Sequence, residues 1–155
     1  MSWSLQIRNG DFTTTGAQLG IATGHQKVAQ DLAHWVLEPM GTDNLHIRYG
    51  SLIDGGMENG MERPSMIGLR QDDSALLKIR AEISRILQDY RSTQFTRAKS
   101  DRFAFKNATL TKDEILYEIN GIIINPKEDT VTVTIEITTG RNDPIQISVP
   151  VQASV

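Results

Sequence analysis

Five carboxylates, Glu38, Asp43, Asp54, Glu58 and Glu62, fall in one short stretch of this 155-residue chain. A pair of carboxyl groups is the minimum equipment for cleaving a glycosidic bond, one acting as acid and the other as base or nucleophile. The acid needs a raised pKa, and so a preorganised apolar pocket. This stretch is rich in glycine instead, and solvated loop acids are the simpler reading. The histidines, His25, His34 and His46, include no pair at the i, i+4 spacing that puts two metal ligands on one helix face. Cysteine is absent, which excludes disulfides, thiolate zinc sites and thiol nucleophiles. Gly55, Gly56 and Gly60 lack the Gly-Lys-Ser/Thr ending of a phosphate-binding loop. The expectation is therefore no catalytic residue, no metal and no cofactor. Phe95, Phe103 and Phe105 interleave with Arg97, Lys99 and Arg102, superficially like a stacking surface for single-stranded nucleic acid. The acidic balance elsewhere argues against that partner. The aromatics are expected to anchor a connection onto the core while the cations face solvent or an acidic partner.

The elements that would position these groups follow from periodicity. Trp3, Leu5 and Ile7 alternate with polar residues before Asn9-Gly10, which predicts a half-buried strand opening an N-terminal β-hairpin over residues 1–22, with a return arm near Gln18 to Ile21. Thr23 and Gln26 match a capping box, and Val28, Leu32, Trp35 and Val36 predict a helix from Gly24 to Glu38 that Pro39 ends. Leu76, Ile79, Ile83, Ile86 and Tyr90 predict a longer helix from Ser74 to about Gln94, supported on its opposite face by Lys78, Glu82, Arg85 and Asp89. A third helix is expected from Thr111, another capping-box start, to Asn120-Gly121. The period then becomes two through Ile122 to Ile124, Val131 to Ile137 and Ile145 to Val151, which predicts three antiparallel strands. Pro150 places the last of them at an edge. The predicted class is α+β: an antiparallel meander with about three helices on one face, in a single domain spanning residues 1–155.

Residues 40–72 resist assignment. Between Pro39 and Asp72 lie six glycines and four of the five methionines, with no sustained period, so the stretch reads as a long loop of the kind that is functional or becomes ordered against something else. Met40, Met57, Met61 and Met66 suit adaptable contacts with a partner. Charge is uneven: from Lys78 to Lys106 eight bases face three acids, and from Lys112 to Asp143 seven acids face three bases. Such polarity suits docking in a fixed orientation. No apolar run approaches the ~20 residues of a membrane helix, and neither a span nor a signal peptide is expected.

The order of parts resembles a known family. Ala29-Gln30-Asp31-Leu32 and Trp35-Val36-Leu37, then Met40-Gly41-Thr42-Asp43 and Arg48-Tyr49-Gly50-Ser51-Leu52, are similar to the small baseplate-wedge subunit of phage tails, whose relatives include a baseplate component of type VI secretion systems. The likeness continues through Ile83 to Gln94, the capped segment at Thr111 and the Asp129 to Thr139 strand. It implies a non-enzymatic subunit of the virion tail baseplate, assembled in the host cytoplasm in multiple copies of a symmetric structure. Its implied partners are other wedge proteins and tail sheath or tube proteins; in contractile tails such a subunit offers a sheet edge on which the first sheath ring forms. Members commonly carry Glu-Pro-Arg after the long helix, where this chain reads Tyr90-Arg91-Ser92-Thr93-Gln94. The candidate partner-contact residues are Arg48, Tyr49 and Gly50, the loop methionines Met57 and Met61, and Ile145, Ile147 and Val149 on the expected edge strand. The alternatives are a peptidoglycan-degrading tail lysozyme using the loop carboxylates and a small nucleic-acid-binding domain.

Overall fold

The computed structural model of the chain describes residues 4–8, 11–15, 18–43, 45–67, 73–104, 109–127 and 130–152. Its N-terminal segment is extended, as the alternation predicts, but it forms three short antiparallel ladders in place of one hairpin. Strand β1 (Ser4–Leu5) pairs with β6 (Ile21–Ala22), β2 (Ile7–Arg8) with β3 (Asp11–Phe12), and β4 (Thr14–Thr15) with β5 (Gln18–Leu19). Three backbone bonds close a ring between them: Gln6 N–H donates to Gly20 O (2.8 Å), Thr13 N–H to Gln6 O (2.9 Å) and Gly20 N–H to Thr13 O (2.7 Å). A Cβ on Gly20 would collide with the Thr13 hydroxyl and the Gln6 side chain, which would have to move to admit it. The return arm forms in part, with Ile21 opposite Leu5, whereas Ile7 turns to Phe12. Trp3, Asn9 and Gly10 lie outside the described residues. Gln30 fastens the unit to the next element, accepting from Ile7 N–H (2.9 Å) and donating to Leu5 O (2.7 Å).

Helix α1 (Gly24–Leu37) buries Val28, Leu32, Trp35 and Val36 along one stripe, as their spacing requires. The Thr23 side chain makes no cap hydrogen bond, so the capping-box reading fails there. Helix α2 (Asp73–Phe103) buries Ile79, Ile83, Ile86, Leu87 and Tyr90. It runs nine residues beyond the predicted end at Gln94, because residues 95–103 contain neither glycine nor proline and helix continues there without burial. In consequence Phe95 and Phe103 are 71% and 73% exposed, which overturns the expectation that they anchor a connection onto the core; Phe105 lies outside the described residues.

The third expected helix is a single 3-10 turn, Lys112–Glu114, that keeps its capping box and passes into strand β10 (Leu116–Pro126). Gln94 supports the extended backbone there: its amide donates to Glu114 O (2.6 Å) and accepts from Leu116 N–H (2.9 Å). Two α-helices are thus present among the described residues, not three. Strand β10 pairs with β11 (Thr130–Thr139), which pairs with β12 (Pro144–Gln152), giving the expected antiparallel meander. The inward residues Val131, Val133, Ile135, Ile137, Ile147, Val149 and Val151 join both helix stripes in one core cluster, with α1 beside β12 and α2 beside β10. Each such side chain contributes about 1.5–3 kcal/mol of transfer free energy.

In the described part of this stretch, residues 40–43 and 45–67, the chain is not the unstructured loop its composition suggests. Strands β7 (Pro39–Met40), β8 (Ser51–Glu58) and β9 (Met61–Arg63) form a second sheet, with β7 and β8 parallel and β8 and β9 antiparallel. The tight turn between β8 and β9 is Asn59-Gly60, both at positive φ (52° and 77°), the pairing that a two-residue hairpin favours. Ile53 of β8 enters the main core. No described helix is long and apolar enough to cross a membrane.

Candidate partner interface

On α2, Glu82, Arg85 and Asp89 stand at spacings that ordinarily support the helix alone. Arg85 instead reaches across the fold. Its guanidinium donates to Gly50 O (2.7 Å) and Arg48 O (3.2 Å), to both oxygens of Glu82 (2.7 and 3.0 Å) and to Asp89 (2.9 Å). Glu82, itself buried, also accepts from Leu52 N–H (2.9 Å), and the Arg48 side chain returns to Asp89 (3.2 Å). Burial opposes the Arg85 charge, but hydrogen bonds and Coulombic attraction from Glu82 and Asp89 outweigh it and raise the pKa above its ordinary value. Gly50 sits beneath this clamp at φ +97°, where a Cβ would lie 2.6 Å from the Glu38 carbonyl oxygen. Upstream, the Asp43 carboxylate accepts from the Leu45 amide (2.8 Å) and the His46 ring (2.8 Å). The His46 bond first, and then the Leu45 amide, hold the Asp43 carboxyl below the usual carboxylate range. The segment between is thus pinned at both ends.

What it carries is apolar. Trp35 stacks at a tilt on Tyr49 (centroids 5.0 Å apart) and meets Tyr90 edge-on (5.7 Å), a platform on which the half-buried Tyr49 phenol has its pKa raised by burial and by nearby Glu38. Beside it Leu45 is 88% exposed and Ile47 71% exposed. Trp35, Leu45, Ile47, Arg48 and Tyr49 line a groove of about 670 Å³. An adjoining depression of about 500 Å³ is lined by Met40, Ile47, Arg48 and Met57, so Ile47 and Arg48 are common to both.

The structure brings Arg48, Tyr49 and Met57 to this paired groove, with Gly50 buried underneath. Met61, exposed on β9, stands opposite Glu58 in the hairpin that carries Met57. Ile145, Ile147 and Val149 lie elsewhere, on β12 of the other sheet. Ile147 and Val149 are buried and Ile145 packs against the same core, so the side chains of these three serve the fold. Leu45, Ile47, Trp35 and Arg85 were missed. For Leu45 and Ile47 a signal existed: apolar residues alternate with His46 and Arg48 in a stretch with no local core to enter. The five carboxylates are divided among separate partners. Glu38 accepts from Thr42, Asp54 from Ser65 and Glu58 from Arg63, while Glu62 is exposed and Asp43 is held ionised by its own turn. Among the described residues no three His, Asp or Glu side chains converge as metal ligands. No family model, curated protein or solved structure matches this chain.

Proposed function

We propose that this chain is a structural, non-enzymatic subunit of a phage or phage-like tail baseplate wedge, gripping neighbouring wedge subunits and sheath or tube proteins. The observation that carries the reading is the Arg85 clamp: a partly buried ion network that holds the Arg48 to Gly50 backbone in place. Such a network costs desolvation chiefly of the buried Glu82 carboxylate, and here its product is a fixed apolar surface. Leu45, Ile47 and Met57 stand on it with Arg48 at the rim of both grooves, the aromatic-flanked, arginine-edged composition of interface hot spots. The resemblance of the segment from Ala29 to Leu52 to wedge subunits supplies the class of partner. The free edge of β12 supplies a second means of attachment through main-chain hydrogen bonds.

Co-expression with the tail proteins encoded beside it tests the reading. The wild-type chain should co-purify with a wedge protein, and Leu45→Asp with Ile47→Asp should lose that complex by at least about tenfold in affinity while keeping its melting temperature, since both side chains are exposed. A double variant that assembles normally would sink the proposal, as would clearing of peptidoglycan by the purified wild-type chain in a zymogram.

A further inference from the structure

Beyond Gln94, the last deeply buried residue of α2, the helix runs on to Phe103. One side of this arm is occupied by the returning chain: Arg97 donates to Thr109 Oγ1 (3.1 Å), and Asp101 accepts from the Thr109 hydroxyl (2.6 Å) and amide (3.1 Å). The other side carries Phe95, Ala98, Lys99, Arg102 and Phe103, at the spacings that put five residues on one helical face. Those five line a shallow, largely apolar groove. Lys99 lies over the Phe103 ring (5.9 Å), and among the described residues neither Lys99 nor Arg102 pairs with a carboxylate.

We propose that this face is a docking seat for an acidic amphipathic helix of another protein. Two phenylalanines flanking an alanine form a saddle in which a second helix can approach closely, and aromatic side chains are the usual anchors of such contacts. The charge selects the occupant. Antiparallel pairing with a second copy of the arm would set Lys99 and Arg102 against their own counterparts, so self-association is disfavoured. Two cations neutralise at most two phosphates, which leaves nucleic acid a weak and salt-sensitive ligand. A helix with a leucine stripe edged by glutamates satisfies both the saddle and the cations. This surface shares no lining residue with the Arg85-clamped grooves, and the inference does not depend on the tail reading.

The test is a fluorescence anisotropy titration of the full chain with two labelled helical peptides of about 20 residues, long enough to hold helix on binding. Both carry a leucine stripe; one is edged by glutamate and the other by lysine. The glutamate peptide should bind at least about tenfold more tightly, Phe95→Ala with Phe103→Ala should remove that binding, and Lys99→Glu with Arg102→Glu should reverse the preference. The reversal is a gain of binding for the lysine peptide, read on a variant whose melting curve matches that of the wild type. The proposal fails if the two peptides bind alike or not at all, or if the charge-reversed variant keeps the original order. It fails equally if a single-stranded oligothymidine binds more tightly than the glutamate peptide, or if the chain sediments as a dimer that the phenylalanine variant abolishes.

Discussion

The Arg85 guanidinium ties helix α2 to the backbone of Arg48 and Gly50. Arg85 was legible as a charged member of a helix face, because Glu82 and Asp89 at i−3 and i+4 are visible in the sequence. Its acceptors Arg48 O and Gly50 O lie 37 and 35 residues away, and no local pattern announces them. Replacing Arg85 by methionine keeps much of the stem but leaves Glu82 buried without its cation. Urea unfolding should show a loss of about 3 kcal/mol. Lysine, with one point charge in place of a planar fork, should recover only part of it. An Arg85→Met variant as stable as the wild type would mean that the clamp does not hold the interface segment.

At the scale of elements, the most instructive departure is the stretch after Thr111. Its capping box is real, and the apolar residues that follow are compatible with a helix or a strand by spacing alone. Two tertiary contacts favour the strand: pairing with β11, and Gln94, twenty or more residues upstream, whose amide engages the backbone at Glu114 and Leu116. Gln94→Leu removes both bonds from a buried site and should cost about 2 kcal/mol, with amide exchange accelerated first at Leu116 and its neighbours. Unchanged protection there would show that pairing with β11 suffices. The second sheet was partly readable: Asn59-Gly60 between Met57-Glu58 and Met61-Glu62 is a hairpin signal, submerged by the surrounding glycines. The parallel pairing of β7 with β8 was not, since its partners are joined only through the fold.

For the whole molecule, β12 ends its sheet with one edge that no described strand covers. Thr139 N–H donates to Asp143 O (3.1 Å), so in the register of β11 and β12 the odd-numbered residues Ile145 to Val151 bond inward. The amides that point to the open edge belong to the even-numbered positions, and two of these are Pro144 and Pro150, which have none. Gln146 and Ser148 are left as a short donor window between two proline stops, a device that blunts strand addition by unwanted partners. Pro144→Thr with Pro150→Thr should therefore lengthen the usable edge, and sedimentation should show concentration-dependent self-association. A strictly monomeric double variant would mean that the edge is protected by other means.

What the sequence settled by itself was whatever depends on neighbours a few residues apart. The alternation from Val131 to Val151 specified the meander and its inward face, the stripes at Val28 to Val36 and Ile79 to Tyr90 specified both helices, and Pro39 ended the first of them. Tertiary structure alone decided the N-terminal ring of Gln6, Thr13 and Gly20, the strand after Glu114, the Arg85 clamp and the exposure of Phe95 and Phe103. Periodicity reports which side of an element is apolar, because side-chain direction repeats every two or 3.6 residues. It carries no information on which distant backbone groups a side chain will reach, or on whether an apolar face finds cover.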